Sequence, residues 1–202
     1  MNQFLAGRDS STEQNNNRQV ILEDETLLLI IDMQEKLISK IKNNQLLIFN
    51  INKLVDTCNL LNVRIAITEQ NPLKLGKTLE SILVNRSYSK FEKMEFSCAK
   101  NKNFADYLNK YNFKNIIVCG IESHICILQS SLDLLKKKFN ILIPRDAISS
   151  RSEIDNETAF LRLILSGGVA STTESIICEL CKTSNRKEFR EVSKILKNSF
   201  SN

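Results

Sequence analysis

Cys126 is the residue of this chain best placed to do chemistry. The run Asn115 to Cys119 is apolar and β-branched, Ile125, Leu128, Leu132 and Leu135 recur at helical spacing, and Gly120-Ile121-Glu122-Ser123-His124 lies between them. That pattern predicts a strand-to-helix turn with the cysteine in the first turn of the helix. Unpaired backbone N–H groups and the helix dipole favour negative charge there, so the expectation is a thiol of lowered pKa that yields a nucleophilic thiolate. Asp32 is the second candidate. It closes the continuous apolar run Leu27-Leu28-Leu29-Ile30-Ile31, which suits a central parallel strand covered on both faces, and such strands deliver functional residues at their carboxyl ends. Each has an ordinary alternative: Cys126 as one more buried cysteine among six, and Asp32 as the cap of a helix beginning near Met33. Lys93, in Phe91-Glu92-Lys93-Met94-Glu95-Phe96-Ser97, has nothing local to separate it from the solvated lysines of a lysine-rich chain.

The elements that must position these residues alternate. Strand patterns fall at Thr26 to Ile31, Val63 to Thr68, a short one near Tyr88 to Phe91, Asn115 to Cys119, Asn140 to Ile143 and Gly168 to Ser171. Helical patterns separate them at Leu46 to Leu61, Thr78 to Leu83, Phe104 to Tyr111, His124 to Lys138 and Ser152 to Leu165, with tail helices at Ser175 to Cys181 and Lys187 to Lys197. The alternation predicts an α/β fold of three layers, α/β/α, around a six-stranded, mainly parallel sheet. In the order 3-2-1-4-5-6 the strands ending at Asp32 and Cys119 are neighbours at the topological switch point, where a ligand crevice forms.

Ordered motifs then carry a resemblance. Leu28-Leu29-Ile30-Ile31-Asp32-Met33-Gln34, Thr68-Glu69-Gln70-Asn71-Pro72 with Leu75-Gly76, Lys93-Met94-Glu95-Phe96-Ser97 and Gly120-Ile121-Glu122-Ser123-His124-Ile125-Cys126 resemble the isochorismatase-like cysteine hydrolases in order and spacing. The match continues through Asp146-Ala147, Ser150-Arg151-Ser152 and Thr172-Thr173-Glu174-Ser175, and is nearest the isochorismatase domain-containing branch. The resemblance implies an isochorismatase-like hydrolase fold and a catalytic triad of Asp32, Lys93 and Cys126. It implies a cis peptide between Ile121 and Glu122, and an oxyanion hole from the backbone N–H groups of Glu122 and Cys126. It further implies hydrolysis of a small amide or related C–N bond through a thioester acyl-enzyme, with Gln34, Leu37, Gln70 and Phe96 as pocket residues. Relatives that act on nicotinamide hold a metal through histidines, but this chain has one histidine, His124, inside the nucleophile turn, so neither metal nor cofactor is expected. Such relatives also stack the substrate ring on an aromatic residue where this chain has Leu37, which weighs against an aromatic amide. His124 reads as a turn residue, since the family scheme assigns proton transfer to Asp.

Composition bounds the remainder. At 202 residues the chain is long enough for one domain with a sizeable core, read as residues 25–202 behind a flexible polar tail, 1–24. No apolar run reaches the length of a membrane span, and six cysteines without secretory context point to free thiols in the cytoplasm, with a mitochondrial location as the alternative. Cys178 and Cys181 form a C-x-x-C pair inside a helical pattern and read as core or interface cysteines, because no second ligand pair is present. The formal charge of +5, with Lys136-Lys137-Lys138, raises a nucleic-acid-associated alternative, as does a non-catalytic scaffold on the same fold. These lysines are spread along helix ends and no aromatic interleaving marks a single-strand groove, so nucleic acid is the weaker reading. Phe189, Val192, Ile195 and Leu196 form a helical stripe in the tail that predicts a homodimer or higher homo-oligomer.

Overall fold

The computed structural model describes residues 21–83 and 87–200. Seven strands form one parallel sheet: β1 (Thr26–Ile31), β2 (Arg64–Gln70), β3 (Ser89–Lys93), β4 (Asn115–Ile121), β5 (Asn140–Pro144), β6 (Ile148–Ser149) and β7 (Val169–Ser171). The order is β3-β2-β1-β4-β5-β7, with the two-residue β6 pairing with the end of β4. The expected sixth strand is therefore β7, and the expected order stands once the short β6 is counted. Flanking helices are α1 (Glu35–Ile38), α2 (Asn44–Leu60), α3 (Pro72–Leu75), α4 (Glu80–Leu83), α5 (Lys102–Lys110), α6 (Leu128–Lys136), α7 (Glu153–Leu165), α8 (Thr173–Cys181) and α9 (Phe189–Lys197).

Every residue of β1 and β4 is buried, as their unbroken apolar sequences require of strands covered on both faces. The two-residue period of β1 divides its side chains between two cores. Leu28 and Ile30 pack with Leu54, Ile67, Ile117, Ile176 and Val192 under α2, α8 and α9. Leu27, Leu29 and Ile31 join Phe104, Ile116, Val118, Leu134 and Leu163 under α5, α6 and α7. At the contact of β1 with β4 the backbones come so close that a Cβ on Gly120 would lie 2.1 Å from the carbonyl oxygen of Ile31, and Gly120 has φ +129°. Only glycine meets both conditions.

Two expectations change here. Ile21 is buried in the core, and Glu23 pairs with Arg186 at 2.7 Å and Lys182 at 3.1 Å, so residues 21–24 belong to the domain because an apolar side chain and an ion-pair network tie them down. The rest of the expected tail, 1–20, lies outside the described residues. The tail stripe is also satisfied within the chain: Val192 is buried and Phe189, Ile195 and Leu196 pack on the core beneath α2 and α8, because the helix turns its apolar face inward. The argument for self-association from that stripe fails accordingly.

Candidate active site

Strand register brings together residues far apart in sequence. Ile31 pairs with both Thr68 and Gly120, and Gln70 pairs with Lys93, so Asp32, Thr68, Gln70, Lys93 and the turn after β4 emerge at one end of the sheet. This is the carboxyl end of the strands, at the switch point between β1 and β4. The Lys93 ammonium donates to Asp32 Oδ2 at 2.7 Å and to Gln70 Oε1 at 2.7 Å, and lies 3.4 Å from Cys126 Sγ. Thr68 Oγ1 donates to the other Asp32 oxygen at 2.7 Å. Asp32 and Lys93 are almost wholly buried and Cys126 is 5 % exposed. A buried ion pair of this kind survives only when its remaining hydrogen-bonding capacity is met, which Thr68 and Gln70 do here.

Asp32 itself has φ 54°, in the left-handed region that Asp and Asn enter at less cost than other side chains. That kink ends β1 and turns the carboxylate toward Lys93. Cys126 lies in a single π-helical turn, Ser123–Ile127, that leads into α6. Insertions of this type concentrate at functional sites. The first-turn N–H groups of any helix lack intrahelical acceptors.

The peptide joining Ile121 to Glu122 is trans, contrary to the expected cis bond: the described residues contain no cis peptide. The reversal is made instead at Glu122, which adopts φ 57° and ψ 57°. Neighbouring groups hold this left-handed residue. Arg151 Nε meets Glu122 Oε1 at 2.7 Å, Ser123 Oγ donates to the Ser149 carbonyl at 2.9 Å, and His124 Nδ1 lies 3.1 Å from Ser150 Oγ. His124 thus faces Ser150 and the first turn of α7, with Glu122 Oε2 at 3.5 Å and Asp155 Oδ2 at 3.9 Å.

The expected lowering of the Cys126 pKa is reversed. Burial pushes the thiol up, the Asp32 carboxylate adds to the rise, and the Lys93 ammonium opposes it without cancelling it. The helix-terminus effect is outweighed because a closed site strips the thiolate of water. Cys126 therefore rests as a thiol with a carboxylate beside it.

These features resemble known proteins over most of the chain. Residues 26–175 match the isochorismatase domain. The chain belongs to the isochorismatase family. Isochorismatase family protein 1B of Dictyostelium discoideum is 35% identical over 174 residues, covering 83% of this chain and 84% of the relative. A Caenorhabditis elegans structure described as MAR1 ribonuclease superposes with TM-score 0.86 at 32% identity, covering 91% of this chain and 95% of that one. A structure described as cysteine hydrolase from Pseudomonas syringae shares the fold, with TM-score 0.76 at 16% identity over 82% of this chain and 96% of that one.

Within this isochorismatase-family site the expected pocket residues separate. Gln70 belongs to it through Lys93, and its Nε2 donates to the Met94 carbonyl at 2.9 Å. Gln34 is buried behind it with its amide committed to the backbone, accepting from Gln70 N and donating to the Gln70 and Gly76 carbonyls. Leu37 packs against the core, and Phe96 is exposed on the loop after β3. Thr68, not singled out by residue type, holds Asp32. Its position two residues before Gln70 on the same strand face was the available signal. Glu69, on the opposite face, is buried yet lowered in pKa: burial acts to raise it, but the Thr78 amide and hydroxyl and the Lys90 ammonium outweigh that. Among the described residues no group of three His, Cys, Asp or Glu side chains is arranged to hold a metal ion.

Proposed function

We propose that this protein is a cysteine-dependent hydrolase of a small molecule with an amide or related C–N bond. The observation that carries the reading is the Lys93 ammonium, 2.7 Å from the Asp32 carboxylate and 3.4 Å from the Cys126 sulfur in a nearly closed site. In the first step Cys126 Sγ bonds to the acyl carbon while its proton passes to Asp32, which suits a thiol that burial keeps protonated. The tetrahedral oxyanion is held by the backbone N–H groups of Glu122 and Cys126. The C–N bond breaks, the amine leaves with the proton from Asp32, and a thioester remains on Cys126. Water then attacks the thioester, giving its proton to Asp32, and the acid departs as the thiol regains it. Lys93 offsets charge as it moves from carboxylate to sulfur and back.

The reading includes a cytoplasmic setting, in keeping with six free thiols. No helix among the described residues is long and apolar enough to cross a membrane.

A screen of small amides, ureides and carbamoyl compounds, run against wild type and Cys126→Ala, tests the proposal. Turnover should vanish in the variant, and a wild-type adduct of acyl mass should map to Cys126. Turnover unchanged in Cys126→Ala would reject the mechanism.

A nucleic-acid reading draws support from the ribonuclease description carried by the C. elegans structure and by similar structures from Leishmania major and Leishmania donovani. Against it, Lys136, Lys137 and Lys138 are exposed at the far end of α6, which starts at the nucleophile turn and runs back toward the amino end of the sheet. The basic run and Cys126 thus lie at opposite ends of the fold. Cleavage of RNA that is lost in Cys126→Ala would move the substrate from amide to phosphodiester.

A further inference from the structure

A cavity of about 270 Å³ opens between the start of α2 and the segment 145–156, which leaves β5 and begins α7. Leu46, Leu47 and Ile148 give it an apolar wall, and Lys42, Arg145 and Arg151 bring three cations to it. The two carboxylates on its lining are committed elsewhere. Asp146 Oδ1 accepts from the amide and the hydroxyl of Thr173 at 2.8 and 3.1 Å, and Glu153 pairs with Arg145 at 3.2 Å. Among the described residues Lys42 has no ion-pair partner, and Arg151 engages only its Nε, with Glu122 Oε1 at 2.7 Å. The end of the Arg151 guanidinium, Nη1 and Nη2, is therefore free to take a carboxylate bidentately. Unneutralised cations beside an apolar wall are the chemistry that binds a small organic acid.

The same wall holds the nucleophile turn from behind. The Ser149 carbonyl accepts from Ser123 Oγ at 2.9 Å, Ser150 Oγ lies 3.1 Å from His124 Nδ1, and Arg151 pairs with Glu122. Asn156, with its amide oriented to satisfy both ends, donates to Ser123 Oγ at 2.9 Å and accepts from Arg145 at 2.8 Å. The hold on Glu122 is thin. Its Oε2 is buried without a hydrogen-bond partner, so the carboxylate depends on Arg151, whose own side chain is half exposed. We propose that this cavity binds a small monocarboxylate with a short apolar chain, and that its occupancy fixes the nucleophile turn in its left-handed conformation. The carboxylate lies across Nη1 and Nη2 of Arg151 with Lys42 beside it, and the chain rests on Leu46, Leu47 and Ile148. Nε stays on Glu122, so ligand and turn share one guanidinium, and immobilising that group favours the closed turn over open ones. Binding stands on the cavity alone, whereas its meaning as regulation of a catalytic site rests on the hydrolase reading.

His124 is the single histidine of the chain, so its imidazole gives one set of NMR resonances that reports on the turn without any measurement of turnover. Sodium hexanoate is the probe, and sodium chloride at matched ionic strength is the control. Titration of the full chain with hexanoate should shift the His124 resonances saturably, and at about ten times Kd the melting temperature should rise by about 3 °C. Reagent reaches Cys126 when the turn opens, so iodoacetamide should label it about tenfold more slowly at that concentration, with exposed Cys178 unaffected. Lys42→Glu and Leu46→Glu, at exposed positions outside the turn, should each weaken hexanoate binding about tenfold or more, and Arg151→Lys, which lacks the second edge of the fork, about tenfold. If one variant does not fold, the others are read. Lys136→Glu, at the far end of α6, should bind as wild type does, and so should Cys126→Ala, which separates this cavity from the catalytic centre. The absence of a saturable shift, an equal shift with chloride, affinity unchanged in the three cavity variants, or an equal loss in Lys136→Glu or Cys126→Ala would each overturn the site. Unchanged Cys126 labelling with hexanoate bound would overturn the coupling to the turn. A failed hydrolase screen alters none of these readings, so the two failures are distinguishable.

Discussion

Replacing Lys93 by Met tests the physical basis of the site more directly than an activity loss does. The substitution keeps the length and apolar stem of the side chain and removes only the ammonium. Asp32 is then left almost wholly buried, with one oxygen on Thr68 and the other, formerly 2.7 Å from Lys93 Nζ, without its cation. Breaking a buried pair by removing one partner costs about 3–5 kcal/mol, most of it the penalty of the stranded charge. With an unfolding entropy of about 2 cal/mol/K per residue, a chain of this size should lose about 7–12 °C in melting temperature. Calorimetry at neutral pH measures this for Lys93→Met, Asp32→Asn and the double variant. The double variant removes both charges, so it should be more stable than the sum of the two single losses predicts, by about 3 kcal/mol. Two small and additive single effects would refute the reasoning, since they would mean that the pair is hydrated or uncharged. Turnover should be lost in all three variants, which separates nothing by itself; the coupling is the informative number.

Other expectations follow from the same packing. Gly120→Ala should prevent stable folding, because its Cβ would sit 2.1 Å from the Ile31 carbonyl oxygen at a backbone angle foreign to alanine; a soluble variant with the wild-type melting temperature would contradict this. Burial raises the pKa of Cys58, Cys98, Cys119 and Cys126 above the unfolded value, Cys98 to about 12. The folded chain therefore keeps protons that the unfolded chain releases, so stability holds below about pH 8.5 and falls above it by about 1.4 kcal/mol per cysteine per pH unit. Urea unfolding that is independent of pH between about pH 8 and pH 10 would contradict those shifts. Brief labelling of the native protein with iodoacetamide should modify exposed Cys178 and spare buried Cys58, Cys98 and Cys119. Cys126 should label more slowly than Cys178 at neutral pH and faster in Asp32→Asn than in wild type, because removing the carboxylate that helps to raise the thiol pKa leaves Lys93 to favour the thiolate; equal rates for Cys126 in both proteins would contradict that effect of Asp32.

Much of the frame was legible because it rests on local pattern. Two unbroken apolar runs identify β1 and β4 as doubly covered strands, and a polar turn between a strand and a helix locates Cys126, since the periods of two and 3.6 residues are written directly in side-chain type. Lys93 was not legible in this way. It lies 61 residues from Asp32 and 33 from Cys126, and nothing near it in sequence records that its strand register with Gln70 aims it at both.

What the sequence by itself determined, then, is the alternation of elements, the depth at which the central strands run, and the sheet end at which functional groups emerge. Tertiary structure decided which groups meet and in what state. Near Cys126 the helix terminus is a local feature that favours a thiolate, but desolvation and the Asp32 carboxylate arrive only through folding, and together they hold the proton on sulfur. The turn at Glu122 is local in sequence, yet its left-handed trans geometry is held by Arg151 from the segment leading into α7. Ile154, Leu161 and Leu165 on α7 recur at helical spacing as the stripe on α9 does; packing alone distinguishes them, because the fold supplies α9 with α2 and α8 and leaves the outer face of α7 in water. Periodicity states that a face is apolar, and only the arrangement of neighbours states what covers it.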